Sequence, residues 1–350
     1  MSILITGGAG FIGSHTCLKL LERGKNIIIL DSFINSKLSV IDRIKKYCKN
    51  KSINIDNKIK LFQGDIRDKK VLKDVFDYGK LNNSLVEQVI HFAGLKSISD
   101  SIKFPSEYWD VNVNGSINLF KFMNEYNCKK IVFSSSATVY GNSNKGLFNE
   151  NDKINPLNPY AATKVEIENL LEKITKKEKN SWSVLNLRYF NPIGAHENAI
   201  IGEDPLIGTN NLFPLILKVA TGSRNKLAIF GKDWETYDGT CIRDFIHVMD
   251  LADAHIKGIE FLNCKDNVGI KTINIGTGIG TSVLSLITTF CEVNNCKVPY
   301  YFSSRREGDS SKLVANNNLA LNLLGWKPNK DLFDMCKDGW NWTCNSNFFE

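Results

Sequence analysis

Short apolar runs recur along the chain, each followed by a stretch where apolar residues return every three or four positions. The first run, 3–6, reads as a buried strand, and Ile12, Cys17, Leu18, Leu20 and Leu21 then mark a helix that stops at Gly24. Further strands are expected at 26–30, 59–62, 88–92, 130–133 and 183–187, with helical patterns between them. Strands alternating with helices predict an α/β protein with a doubly wound parallel sheet. Ligands of such sheets lie at the carboxyl ends of the strands.

From Tyr189 the pattern loosens. Gly194, Gly202, Pro205, Gly208 and Pro214 interrupt it. Short elements follow: helices at 212–221, from 281 and from about 331, and strands at 227–230, 271–275 and 298–302. These predict a smaller, interleaved α/β lobe at the C-terminal end. The expected division is a dinucleotide-binding domain over 1–188, to which 239–257 returns, and a substrate lobe from 189–238 and 258–350. The Lys- and Asn-rich segments 48–57 and 78–84 read as surface insertions, and the second glycine turn, 276–280, as structural.

The first turn carries chemistry. Gly7-Gly8-Ala9-Gly10-Phe11-Ile12-Gly13 joins a strand to a helix, and Asp31 closes the next strand. This context makes the glycines a dinucleotide fingerprint: Gly7 for the turn, Gly10 for close approach of backbone N–H groups to a diphosphate, Gly13 for close helix–strand packing. The helix N-terminus faces the anion. Asp31 suits ribose hydroxyls and repels a 2′-phosphate, so NAD is the expected cofactor. Three later strand ends add Asp65-Ile66, suited to adenine, then Ala93-Gly94-Leu95-Lys96, small residues beside a cation, then Ser134-Ser135-Ser136-Ala137-Thr138. Tyr160 and Lys164 stand four residues apart on one helix face.

Composition narrows the class. The chain of 350 residues is 43% hydrophobic, enough for a large core or two lobes. It contains neither a membrane-length apolar run nor a signal-peptide pattern. Nine scattered cysteines without a C-x-x-C pair read as reduced cytoplasmic thiols, with no metal site expected. The net charge is +7, but the lysine runs at 45–51 and 173–179 lie in polar segments without interleaved aromatics, so neither nucleic acid nor membrane is an expected partner.

The glycine turn, the serine run and the Tyr-x-x-x-Lys pair together resemble the extended short-chain dehydrogenase/reductase superfamily. Within it, Thr6-Gly-Gly-Ala-Gly-Phe-Ile-Gly-Ser-His15, His91-Phe-Ala-Gly-Leu-Lys96, Phe133-Ser-Ser-Ser-Ala-Thr-Val-Tyr-Gly141, Asn158-Pro-Tyr160, Leu187-Arg-Tyr-Phe-Asn-Pro192, Gly202-Glu-Asp-Pro205, Arg243-Asp244 and Arg305-Arg-Glu-Gly-Asp309 resemble the UDP-glucose 4-epimerase family. The resemblance implies a Rossmann-like domain and reversible epimerisation of UDP-galactose and UDP-glucose through a 4-keto sugar, in galactose metabolism, with tightly held NAD. It implies Tyr160 as base and acid, Ser136 on the sugar O4, and Lys164 on both the phenol and the nicotinamide ribose. For NAD it implies Gly7, Gly10, Phe11, Ile12 and Gly13, then Asp31, Ser32, Phe33 and Asn35, Asp65 and Ile66, Phe92, Ala93, Gly94, Lys96 and Tyr189. For the UDP-sugar it implies Lys96, Ser136, Ala137, Thr138, Tyr160, Tyr189, Phe190, Asn191, Asn210, Asn211, Leu212, Ala228, Ile229, Phe230, Arg243, Arg306 and Asp309. Leu313 stands where the family places a gate beside the sugar C2 substituent.

Related sugar dehydratases carry an Asp-Glu pair where Ala137-Thr138 stands here, which argues against dehydration. Another NAD-dependent UDP-sugar enzyme (an N-acetylhexosamine or glucuronate 4-epimerase, or a decarboxylase) and a non-enzymatic NAD sensor remain alternatives. The family also implies a homodimer built on helices near 111–126 and 161–175. An unperturbed tyrosine titrates near 10, so a base working near 7 needs roughly 4 kcal/mol of phenolate stabilisation. A lysine about 6 Å away supplies roughly 2.8 kcal/mol, so Lys164 is expected to need help from a second positive charge.

Overall fold

The computed structural model describes residues 1–142, 146–178, 181–206, 211–264, 268–306 and 309–345. The N-terminal half runs β1 (Ser2–Thr6), α1 (Phe11–Glu22), β2 (Ile27–Asp31), α2 (Ser39–Asn50), β3 (Ile59–Gln63), α3 (Lys69–Leu81) and β4 (Val86–His91). Next come α4 (Ile98–Lys103), α5 (Pro105–Tyr108), a π-helical stretch (Trp109–Asn114) and α6 (Gly115–Glu125). β5 (Lys130–Ser136), a 3₁₀ turn (Ala137–Tyr140), β6 (Leu147–Phe148), α7 (Pro159–Lys177) and β7 (Ser183–Tyr189) complete it.

The remainder is β8 (Asn191–Ile193), α8 (Leu212–Ala220), β9 (Leu227–Phe230), β10 (Ile242–His247), α9 (Val248–Leu262), β11 (Gly269–Ile275), β12 (Gly280–Ser282), α10 (Val283–Asn294), β13 (Tyr300–Ser303), β14 (Lys312–Ala315), α11 (Asn318–Leu324) and α12 (Leu332–Asn345).

Seven parallel strands form the main sheet in the order β11-β7-β5-β4-β1-β2-β3. Alternation along each strand feeds two cores, because successive side chains point to opposite faces. Ile3 and Ile5 pack with α1, α2, α9 and α11. Leu4, Ile28 and Leu30 pack with α3, α6 and α7 on the other face. A second sheet, β12-β10-β14-β6 with β8 beside β10, and a two-stranded β13-β9 ribbon build the smaller lobe. Its core gathers Phe213, Ile216, Ile229, Phe245, Leu286, Phe290 and Met335.

Three expectations need correction. Residues 271–275, assigned to the substrate lobe, form most of β11, the edge strand of the main sheet, paired from Gly269 to Ile275 with β7. Within 239–257, α9 packs against α1, but β10 belongs to the small sheet. The segments 48–57 and 78–84 are not wholly insertions: Cys48 on α2 is fully buried, and α3 runs to Leu81. Apolar residues on one face of each helix outweighed their polar composition.

Candidate active site

The carboxyl ends of β1, β2, β4, β5 and β7 meet at one edge of the main sheet, and the signature residues lie there. Gly7 adopts φ +72°, and a Cβ on it would come within 2.7 Å of the Ala93 nitrogen. A Cβ on Gly13 would lie 2.2 Å from the Gly7 carbonyl oxygen. The turn is thus closed against α1 as far as glycine allows. α1 is entered from Gly10 with no side-chain cap and no acid in its first turn, which leaves its N-terminal N–H groups available to an anion.

Asp31, buried at the end of β2, accepts from the Ala9 N–H at 2.8 Å, the Phe33 N–H at 2.9 Å and the Ser36 hydroxyl at 2.9 Å. It ties the glycine turn to the loop holding Ser32, Phe33 and Asn35. Phe33 takes a positive φ of 57° there. Asp65 is held by Arg67 at 2.7 Å. The Ile66 side chain is buried in the second core against Gly115, so its backbone is the part left to face an adenine.

After β4, Phe92 stacks at a tilt on His255, and the Ala93 N–H bonds the Thr6 carbonyl. Asn112, in the π-helical stretch, accepts from the Leu95 N–H at 2.8 Å and donates to Leu95 O at 3.1 Å and Thr163 Oγ1 at 3.0 Å. Gly94 is pressed against Asn112 Oδ1, 3.0 Å from where its Cβ would be. Lys96 pairs with Glu203 at 2.7 Å.

The strand expected at 130–133 runs on through the serine run. Ser134, Ser135 and Ser136 are the last residues of β5, and Ala137 and Thr138 open the 3₁₀ turn. Asn158 caps α7, accepting from the Ala161 N–H at 2.9 Å, with Pro159 at its start. That helix delivers Tyr160 and Lys164. The Ser136 hydroxyl lies near enough to the Tyr160 phenol to stabilise its phenolate, and Thr138 Oγ1 donates to Ser136 at 3.0 Å.

The Lys164 ammonium lies 5.8 Å from the Tyr160 ring centre and donates to Ser134 O at 2.8 Å. Tyr189 hydroxyl bonds Ser134 Oγ. Burial pushes the Tyr160 phenol up to about 12, opposed by the nearby Ser136 hydroxyl. Burial also lowers Lys164 to about 8, opposed by Glu168. Tyr160 is thus a weaker acid than an ordinary phenol and stays protonated near neutral pH.

A second wall comes from the smaller lobe. Arg306 lies over the Phe230 ring at 4.3 Å. Arg243 donates to the Ile242 and Ser310 carbonyls at 2.9 Å and reaches Asp309 at 3.4 Å. Leu313 pairs with Arg243 across β14 and β10 and packs in the cluster of Ala137, Phe148 and Phe190, so the two walls share one apolar joint. Asn191 Oδ1 is buried with no partner among the described residues.

Ala228 and Phe230 share one face of β9, while Ile229 points into the lobe core, so its side chain cannot line the cleft. Leu212, at the start of α8, is half-buried against that core, beside Asn211. Asn210 lies outside the described residues. The sequence reading missed Asn112 and Glu168 and quoted Ser134 and Glu203 only within motifs; each is a polar partner set by tertiary contact.

A family model described as GDP-mannose 4,6 dehydratase matches residues 4–339. The UDP-glucose 4-epimerase of Yersinia enterocolitica is 44% identical over 343 residues, spanning 98% of this chain and 97% of the relative. A bifunctional UDP-glucose 4-epimerase and UDP-xylose 4-epimerase of Pisum sativum is 42% identical over 344 residues, 98% and 96% of the two chains. This chain belongs to the UDP-glucose 4-epimerase family. A crystal structure of UDP-glucose-4-epimerase from Stenotrophomonas maltophila, with bound NAD and formylated UDP-arabinopyranose, superposes with TM-score 0.92 at 40% identity over 100% of both chains.

Proposed function

We propose that this protein is an NAD-dependent UDP-glucose 4-epimerase that interconverts UDP-galactose and UDP-glucose. The observation that carries the reading is the Lys164 ammonium 5.8 Å from the Tyr160 ring centre with the Ser136 hydroxyl near the phenol, at the strand ends where the glycine turn opens. The glycine cradle, the uncapped α1 and Asp31 fit a dinucleotide, and the relatives' structures were crystallised with NAD. Gly7, Gly10, Gly13, Asp31, Lys96 and Lys164 would hold it.

Bound NAD supplies the hydride acceptor for sugar C4 and a positive charge near the phenol. Tyr160 takes the 4-hydroxyl proton and later returns it, and Ser136 bonds O4. Moving a phenol from about 12 to about 7 requires about 7 kcal/mol of phenolate stabilisation, more than Lys164 alone provides at this distance. The base is therefore active only in the loaded enzyme. Arg306, Arg243 and Asn191 would take the uridine diphosphate, the arginines by paired hydrogen bonds.

Ala137 and Thr138 bring no carboxylate to O4, which favours epimerisation over the dehydration named in the family model. Nine free thiols suit a reducing cytoplasm, and among the described residues no helix is long and apolar enough to cross a membrane. We further propose a homodimer through α6 and α7. Leu119, Phe120 and Met123 are already spent inside the subunit, which leaves half-buried Phe122, Leu170 and Ile174 to pair; light scattering tests it.

The functional test uses protein purified without added NAD. Wild type is expected to convert UDP-galactose to UDP-glucose, and Tyr160→Phe to lose about 10²-fold or more in kcat while keeping its NAD. Bound NAD without turnover of UDP-galactose would move the substrate assignment to UDP-glucuronate or N-acetylated sugars.

A further inference from the structure

Glu168 lies one helical turn beyond Lys164 on α7 and is 6% exposed. Its carboxylate is gripped from two neighbouring strands. Ser135 on β5 donates to Oε1 at 2.5 Å. Arg188 on β7 closes a forked ion pair, Nε to Oε1 at 2.9 Å and the Nη2 group to Oε2 at 2.6 Å. Ser135 and Arg188 are register partners across β5 and β7.

Strand alternation explains the arrangement. Ser135 and Arg188 point toward α7, whereas Ser134, Ser136 and Tyr189 point to the other face. Each residue that grips Glu168 is thus the chain neighbour of a site residue: Ser135 sits between Ser134 and Ser136, and Arg188 precedes Tyr189. Arg188 is itself held, donating to the Tyr140 hydroxyl at 3.1 Å and the Glu150 carbonyl at 3.0 Å. Tyr140 in turn bonds Asn274 at 2.6 Å.

We propose that Glu168 is a positioning residue of the epimerase reaction, locking α7 in register with β5 and β7 so that Tyr160 and Lys164 meet Ser136 and Tyr189. The inference rests on the functional reading above. Glu168 touches no reacting atom; it acts through the chain neighbours of those that do. It also supplies the anion that keeps Lys164 protonated. The other titratable groups around Lys164 are Tyr160 on the same helix, His91 from β4, Tyr189 from β7 and, behind Glu168, Arg188. Burial, reinforced by Lys164, holds His91 down to about 3, so it is neutral at working pH. Glu168 is therefore the one carboxylate among them.

Three variants of the full-length holoenzyme separate this role from simple structural support. Ser135→Ala removes one grip and leaves the ion pair. It is expected to lower kcat about tenfold, with KM, NAD content and the alkaline limb of the kcat profile unchanged. Glu168→Gln alone would strand the Arg188 charge, so it is combined with Arg188→Met. That double variant is expected to lose about 10²-fold in kcat and to shift the alkaline limb down by about one pH unit, because removing an anion disfavours the Lys164 cation.

Glu168→Asp keeps the charge but withdraws the carboxylate, so it should restore the limb and not the rate. Folded, NAD-loaded variants with wild-type kcat and an unmoved limb would overturn the proposal, whatever their melting temperatures. Should the double variant fail to fold, Ser135→Ala and Glu168→Asp decide by rate alone. Wild-type turnover, read first, judges the functional reading separately.

Discussion

A methyl group has no place at position 13. The Cβ of Gly13→Ala would lie 2.2 Å from the Gly7 oxygen, so the turn must open or α1 must move away. The variant is expected to lose about 1–3 kcal/mol of stability and to come off a desalting column with little NAD. Gly10→Ala, whose nearest contact would be 3.3 Å, should keep its fold and lose affinity only. Asp31→Asn sets an NH₂ group against N–H donors at Ala9 or Phe33, at a cost of about 1–3 kcal/mol; chemical denaturation of cofactor-free protein would measure it apart from any ribose contact. At this scale the sequence was readable where chemistry restricts the residue type. Glycines between strand and helix, an acid closing β2, and Tyr160 four before Lys164 allow few substitutes. For Ile66 and Ile229 the neighbours do not reveal which way the side chain turns; packing against Gly115 and the lobe core decides it and leaves the backbone to the cleft.

Among the elements, the second glycine turn shows a carboxylate used as internal mortar. Asp244 on β10 accepts from the Thr277 N–H at 2.8 Å, Thr277 Oγ1 at 2.7 Å, the Gly278 N–H at 2.9 Å and the Ala315 N–H at 3.1 Å. It joins the end of β11 to β14, beside Arg243. Asp244→Asn is expected to cost about 3 kcal/mol and to raise KM for UDP-sugar through Arg243, with NAD content intact; a melting curve and a substrate titration would show both. The strands with unbroken apolar runs were legible, as was α7 from its proline start. β11 was placed in the substrate lobe because its polar Lys271, Thr272 and Asn274 look half-exposed, and nothing local announces a partner as distant as β7. The strand was expected to stop at Phe133 because serine is a poor strand former; Glu168 and Tyr189 supply the partners that keep the serine run extended.

Taken whole, the molecule buries histidines in their neutral form. Burial lowers His15 and His91 to about 3 and His196 and His255 to about 4. Unfolded histidine titrates near 6.5, so between roughly pH 4 and 6.5 the unfolded chain binds more protons than the folded one. Stability therefore falls as pH drops through that window, by about 1.4 kcal/mol per pH unit for each histidine once well below 6.5. Urea midpoints at about pH 7.5 and about pH 5.5 should differ steeply, and replacing His255 with an apolar residue should flatten the slope; equal midpoints would refute this. The late arrival of β11 has a further consequence, for synthesis. A ribosome releases β1 to β7 in nearly the order of need, but the face over α1 waits for Leu251, Ile259, Ile273, Leu324 and Trp326. Until those residues emerge, the nascent sheet exposes a broad apolar surface and an unpaired edge, both hazards for aggregation. Cells making this enzyme must shield that intermediate for the time taken to translate the last third of the message, and a truncated N-terminal half should be insoluble by itself.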